Sequence, residues 1–541
     1  MKRFYVAVVA IICLLGGGST ALVHFDTRSY KSAKSLVWNI KGESAEASFA
    51  STFVRLEGVR VPIELPRPNT GGGITRIGEG VLLLAGDGTM LHASSPEDVR
   101  VLSIAPPENG FASYEADIEG RFSHLYHITT WFRYNDILAM DIDGQRSLVA
   151  SFTRYYNEDA CYGTAVARLD LPKGDLADMQ IAAEEWATIY ETRPCLPLKE
   201  IYRALEGHTA GGRIAHDGAG NVYLGSGDYH FDGVYAPFAV SQDDNYDHGK
   251  LVRISADGSG HEIIGKGLRN MQGVAWFKNA VWTVEHGMRG GDELNRIVKG
   301  GNYGWPVVTY GTQYNRQFMP GTADAPGRHD GYEKPVFSWL PSVAISSLNV
   351  MEDVHPAWNG DLLMASLGGK ALFRIRLENS RALFAERIPV DMRVRYAQPV
   401  NGGLVLWNDD RELVFLRARD IFDGDPVAIA MDRLELSRAN RRTLAQKMDS
   451  CIECHSAVPG DHRNAPSIAL LHGRPIAFSG YGGYSDALLA AGGIWTSENL
   501  RAYLGDPQAF APGTLMPDPG IDNPETLDNL VKLILELSKG E

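Results

Sequence analysis

Two cysteines with a histidine directly behind them stand at Cys451-Ile452-Glu453-Cys454-His455. Thiols at that spacing can add to the two vinyl groups of a haem while the imidazole that follows ligates the iron, which is the c-type attachment pattern. Cysteine pairs also hold zinc or cycle between thiol and disulfide, but His455 at this position favours haem. The iron then needs a second axial ligand. Met516 is the sole methionine after His455, in the stiff, non-helical run Pro512-Gly513-Thr514-Leu515-Met516-Pro517 that suits a thioether pressed onto iron. His462 and His472 compete for that position.

A second concentration of chemistry lies mid-chain. Gly267-Leu268-Arg269-Asn270-Met271-Gln272-Gly273 is followed by Glu285-His286-Gly287-Met288-Arg289-Gly290-Gly291-Asp292-Glu293-Leu294-Asn295 and by Gly301-Asn302-Tyr303-Gly304-Trp305-Pro306. So many glycines and polar residues around two short strands describe exposed loops shaped for a ligand.

Two kinds of element must position these residues. From about residue 50 to 420 short apolar runs end in Gly or Asp turns, the texture of β structure. Six stand out: Val81-Leu82-Leu83-Leu84, Ser147-Leu148-Val149-Ala150, Val222-Tyr223-Leu224, Val281-Trp282-Thr283-Val284, Leu362-Leu363-Met364-Ala365 and Leu404-Val405-Leu406-Trp407. They recur at about 40 to 80 residues, room for one four-stranded antiparallel sheet each, so six radial sheets would form a propeller. A pair of β-sandwiches is the alternative. Beyond about residue 430 the stretches Asp432 to Cys454, Ser485 to Ala491, Ser497 to Leu504 and Asn523 to Lys539 carry helical spacing of Leu, Ala and charge. The expected architecture is an all-β propeller over 45–424 followed by a small all-α domain over 436–541.

Whole-chain properties bound the partners. With 541 residues, 44% hydrophobic and 22% charged, the chain is long enough for two or more cores. A formal charge of −14 argues against nucleic acid or an anionic membrane surface as the main partner. Lys2-Arg3, an apolar run from Phe4 to Leu15 and small residues up to Ala21 form a secretory signal over 1–23. An uncleaved membrane anchor is the alternative. Either places the protein in the periplasm, where Cys161 and Cys195 become candidates for a disulfide or remain two buried thiols.

The C-terminal segment resembles class I cytochromes c over about 100 residues. The likeness rests on the haem motif, Ala465-Pro466, Gly473-Arg474, Tyr481 to Tyr484, Gly493-Ile494-Trp495-Thr496 and the Met516 loop. It implies a haem bound through Cys451 and Cys454, His455 and Met516 on the iron, the Pro466 carbonyl orienting His455, and Arg474 and Trp495 at the propionates. Trp495 serves equally well as core.

The mid-chain motifs resemble the soluble aldose (glucose) dehydrogenases that use pyrroloquinoline quinone (PQQ), which are six-bladed propellers. Agreement is close from about Gly211 to Gly311, recognisable to about Asp409, and fades upstream of residue 200. The resemblance implies that Arg269 and Asn270 bind quinone oxygens, a role suited to the fixed fork of Arg. It implies that the carbonyls of Gly287 and Met288 hold a catalytic calcium, that Glu293 and Tyr303 hold a structural one, and that Ser342, Arg393 and Arg395 face the quinone. The family's general base is a histidine shortly before a Gly-Arg-Leu strand, supplied here by His208 in His208-Thr209-Ala210-Gly211-Gly212-Arg213-Ile214, in a loop one residue longer than usual.

Two departures stand out. The family's early glutamine motif corresponds only loosely to Tyr134-Asn135-Asp136-Ile137-Leu138 and Asp141-Ile142-Asp143-Gly144. Gly368 occupies the place of its cofactor lysine, for which Lys370 is the substitute. The expectation is a periplasmic PQQ-dependent sugar or alcohol dehydrogenase that passes electrons to its own haem c and on to a downstream acceptor. The alternative is a propeller without quinone that docks the cytochrome.

Overall fold

In the computed structural model, described residues run from 45 to 538, apart from 66–70, 143, 201–202, 323–325, 421–425, 459–460 and 478–480. The signal or anchor expected over 1–23 lies outside them. Among the described residues no helix is long and apolar enough to cross a membrane.

Six sheets form the blades of a propeller, antiparallel except that Gly301–Asn302 pairs parallel with His261–Lys266 at the edge of the third. Their innermost strands are Gly72–Ile77, Tyr134–Ile142, Gly211–His216, Met271–Phe277, Ile345–Val350 and Val394–Val400. One side chain from each of these (Thr75, Asp136, Arg213, Gln272, Ser347 and Gln398) lines an axial cavity of about 380 Å³.

Each of the six apolar runs read from the sequence falls in the second strand of a different blade: Gly80–Ala85, Gln145–Tyr156, Asn221–Ser226, Ala280–Glu285, Leu362–Ser366 and Gly403–Asn408. The second strand lies within the blade and is covered on both faces by its neighbours, so both side-chain registers are apolar and the run is continuous. Val81 to Leu84 are fully buried, each leucine contributing about 1.5–3 kcal/mol relative to exposure. Outer strands such as Arg381–Pro389 keep one face in solvent and mix charge with apolar residues.

The ring is closed by the N-terminal strand Val54–Pro62, which pairs antiparallel with Glu412–Asp420 and completes the sixth blade; Ala45–Ala50 adds a further outer strand. This pairing joins the two ends of the propeller and removes the edge at which an open ring would pair with another chain. Gly58 is required there, since a Cβ would sit 1.7 Å from the carbonyl oxygen of Phe415.

The sequence carried little helical signal before residue 420, yet Phe111–Glu119 is a helix, secured where Tyr155 donates to Asp117 Oδ2 at 2.6 Å. Cys161 and Cys195 form a disulfide across the second blade.

After Asp420 the structure is helical. The helical stretch expected from Asp432 to Cys454 holds one helix, Arg438–Ile452, opened by Ser437, whose hydroxyl accepts from the Asn440 amide; a separate helix, Pro426–Asp432, precedes it. Asp486–Ala491, Ser497–Gly505 and Pro524–Glu536 begin at Ser485, Thr496 and Asn523 caps. Leu444, Met448, Leu500, Leu530, Leu533 and Ile534 bury a core shared by the helices.

Candidate active site and haem site

In an antiparallel meander the start of the first strand and the turn between the second and third lie at the same end. Nearly every mid-chain candidate occupies one of these two positions, so the fold gathers them on one face of the propeller. Arg133, His208, Arg269, Asn270, Ser342 and Arg393 stand at or just before the starts of inner strands. Asp228 to His230, Gly287 to Asp292, Lys370 and Asp409 stand between second and third strands.

At this end five inner strands slip register by one residue, between Tyr134 and Asp136, Gly211 and Arg213, Met271 and Gly273, Ile345 and Ser347, and Val394 and Tyr396. The unpaired residues are Asn135, Gly212, Gln272, Ser346 and Arg395. Such bulges re-aim side chains beside active sites. Nothing in local sequence announces them.

His208 lies in the short 3-10 turn Gly207–Thr209, half-buried, its ring 4.3 Å from that of Trp131 and 4.7 Å from that of His230. Its Nδ1 is 2.9 Å from Glu206 Oε2, but at an angle outside hydrogen-bonding geometry. Burial lowers its pKa and outweighs the opposing pull of Glu206. The imidazole is therefore neutral at pH 7, the form a base requires.

Arg269 is buried. One terminal nitrogen donates to the carbonyls of His286 and Gly287 at 3.1 and 3.0 Å, and the other to His230 Nε2 at 3.2 Å. Glu285 Oε2 accepts from the Arg269 amide at 2.5 Å and from the Asn270 amide at 3.3 Å, fixing both residues by their backbone. Asn270 Nδ2 donates to the His208 carbonyl, and its Oδ1 accepts from Gln272 at 2.8 Å. Arg269, Asn270 and His208 thus form one connected cluster.

Arg133 and Asn135, just upstream of and inside the loosely matching early motif, complete it from the second blade. Burial, with Arg395 and Arg213 nearby, pulls the Arg133 guanidinium down to about 10. Both polar atoms of the Asn135 amide and the Nε atoms of Arg133 and Arg269 have no hydrogen-bond partner among the described residues. Buried orphan donors of this kind suit an acceptor-rich anionic ligand. Arg393 differs: half-exposed, it donates to Asp409 Oδ2 at 2.7 Å, and Arg395 lies 2.5 Å from the other oxygen of the same carboxylate.

The Gly287–Asp292 loop is held by Asp292. Its carboxylate accepts from the amides of Gly287 at 3.1 Å, Val343 at 2.9 Å and Ala344 at 2.8 Å. Ser342 Oγ accepts from the Gly290 amide at 2.9 Å. Gly287 admits no side chain, because a Cβ would lie 2.2 Å from Gly290 O and 2.5 Å from Gly291 O. The Gly290 and Gly291 carbonyls thus face Gly287, whose own carbonyl accepts from Arg269. Lys370 sits in its turn at φ +47°, its carbonyl accepting from Val390.

Glu293 faces Glu285 across paired strands, both buried. Burial, then the neighbouring Glu285, holds the Glu293 carboxyl well above its usual range, and Asn295 Oδ1 is left without a partner among the described residues. A divalent cation fits this oxygen-rich, cation-poor spot. Tyr303 contributes less freely: its hydroxyl donates to Arg296 O and accepts from Val298 N, and its carbonyl accepts from His329.

In the helical region Cys451 lies in the last turn of Arg438–Ile452, and its carbonyl accepts from the amides of Cys454 and His455. His455 Nδ1 is 2.6 Å from the carbonyl of Pro466. A carbonyl only accepts, so Nδ1 carries the proton and Nε2 is free to ligate iron. Met516 is half-buried at the edge of the helical core. His462 Nδ1 is occupied by the Ser467 amide at 3.1 Å, and His472 is exposed. Trp495 packs against Tyr503 and Phe510 in the core.

Fold and site together define a dehydrogenase-type six-bladed propeller followed by a cytochrome c-like helical region. The glucose / sorbosone dehydrogenase family model matches residues 137–417, and the chain belongs to that family. The match begins well upstream of residue 200, where the motif likeness fades. The chain is 32% identical over 272 residues to the aldose sugar dehydrogenase YliI of Escherichia coli K12, covering 47% of this chain and 67% of that one. Its C-terminal part is similar to cytochromes c, among them cytochrome c2 of Rhodopila globiformis, 32% identical over 81 residues, or 15% of this chain and 76% of that one. The crystal structure of the soluble aldose sugar dehydrogenase from E. coli in its apo-form superposes with a TM-score of 0.52 at 25% identity, over 65% of this chain and 96% of that one.

Proposed function

We propose that this chain is a periplasmic quinohaemoprotein that oxidises an aldose or related alcohol at the propeller face, using PQQ, and delivers the electrons to its own haem c. The observation that carries the reading is the gathering on one face of His208, the unpartnered donors of Arg133, Asn135 and Arg269, and the tight Gly287 loop. His208 takes the proton of the substrate hydroxyl through its free ring nitrogen. Arg269 and Asn270 hold the quinone oxygens, with Arg133 and Arg395 as further cationic contacts. PQQ supplies the acceptor for the hydride. The carbonyls of Gly287 and Met288 would hold a calcium ion supplying positive charge beside the cofactor, and Glu293 would be the main donor of a second calcium site.

At the other end of the chain Cys451 and Cys454 would anchor a haem c, with His455 and Met516 as the residues that would ligate its iron. It supplies a one-electron relay to an external acceptor. The test is to mix purified protein with calcium and PQQ and to follow the haem absorption on adding a panel of aldoses. Reduction dependent on both PQQ and sugar is expected. Saturable PQQ binding without haem reduction by any aldose or alcohol overturns the electron path, and no PQQ binding leaves the propeller as a docking module.

A further inference from the structure

The loop that carries His208 also buries an acid. Glu206, two residues ahead, is fully buried, with Oε1 unpartnered among the described residues. Its Oε2 accepts from Arg203 Nη1 at 3.5 Å and lies 2.9 Å from His208 Nδ1 and 3.9 Å from His230 Nδ1. His230 is held in place by two consecutive residues in the left-handed region, Tyr229 at φ +49° and His230 at +56°, where non-glycine residues are uncommon and, when found, cluster at functional sites.

Two histidines and a carboxylate within 4.8 Å of one another also have the make-up of a metal site. The tautomer decides against it. Arg269 has only donors to offer His230 Nε2 at 3.2 Å, so Nε2 accepts and the proton of the neutral ring sits on Nδ1, the atom facing Glu206. A protonated nitrogen cannot ligate a metal.

We propose that Glu206 is a positioning residue: it receives the Nδ1–H of His208, with Arg203 Nη1 as a second donor, and so leaves His208 Nε2 as the lone pair that takes the substrate proton. The proposal rests on His208 being the base. The misaligned 2.9 Å contact tightens when substrate is bound, as such contacts commonly do. After proton transfer the imidazolium has a buried carboxylate beside it, which offsets the burial and the positive charges of Arg269 and Arg133 that otherwise disfavour it.

The test begins on apo-protein labelled with 15N-histidine. The His208 resonances should show a protonated Nδ1 and an unprotonated Nε2. In Glu206→Gln, folded by circular dichroism, the His208 titration should move to lower pH, and Glu206→Asp should restore most of the shift. In PQQ-loaded enzyme Glu206→Gln should lower kcat by about 10²-fold, the low end of a general base's contribution, with KM unchanged. An unchanged His208 tautomer and titration in Glu206→Gln overturns the proposal, as does uptake of one equivalent of Co²⁺ that Glu206→Gln abolishes. Parental turnover by His208→Ala instead sinks the base reading, whatever the spectra of Glu206→Gln show.

Discussion

The cytochrome c-like region and the propeller solve the same problem, holding reactive groups in place, over very different distances in the chain. Cys451, Cys454 and His455 are neighbours, and their orientation comes from a helix end and one carbonyl eleven residues away, that of Pro466. The propeller draws its candidate site from Arg133, His208, Arg269, Ser342 and Arg395, on five different blades. A local motif survives rearrangement of its surroundings. A distributed site depends on every blade keeping its register.

The largest expected effect tests the local half. Cys454→Ala should lose most of its haem after acid-acetone extraction while the propeller still binds PQQ. A propeller that fails to bind PQQ in this variant would break the separation of the two regions. Next is His208→Ala, expected to slow sugar-dependent haem reduction by about 10²–10⁴-fold while PQQ affinity and haem content stay near parental. Stopped-flow following both chromophores separates these quantities.

Removing the disulfide with Cys161→Ser and Cys195→Ser opens a loop spanning 34 residues and should cost about 3–4 kcal/mol by loop-closure entropy. Calorimetry should place the loss in the propeller transition and leave the helical one in position. If both transitions move together, the two regions unfold as one unit. Arg269→Ala should weaken PQQ binding by about 1.5–3 kcal/mol, the worth of a charge-assisted contact, measured by titrating apo-protein in calcium.

The smallest effect concerns acid. His248 is buried beside Thr192, and burial draws its pKa down to about 3 from an ordinary 6.5. The unfolded chain binds that proton first, so the stability His248 contributes is full above pH 6.5 and drains away as the pH falls toward 3. His248→Gln should therefore flatten the acid side of the propeller's melting profile by roughly 2–4 °C between pH 6.5 and pH 4, with no change in the helical transition.

The sequence alone determined whatever rests on neighbours in the chain or on burial from both sides. The haem motif needs five consecutive residues, and the caps at Ser485, Thr496 and Asn523 act within one turn. Six continuous apolar runs were legible because the second strand of each blade is covered on both faces, which erases the alternation that makes other strands ambiguous. Only the tertiary structure decided the rest. Arg133 and Asn135 join the candidate site because the ring brings the second blade beside the third, and Asn135 is the residue a bulge leaves unpaired there. Glu206 stood in plain sight two residues before His208, yet its burial against both histidines depends on His230 reaching back from the next loop. The ring itself closes through Val54–Pro62 on Glu412–Asp420, a pairing between segments some 350 residues apart that is set by which edges meet when six twisted sheets pack round an axis, and local propensity encodes no such partner.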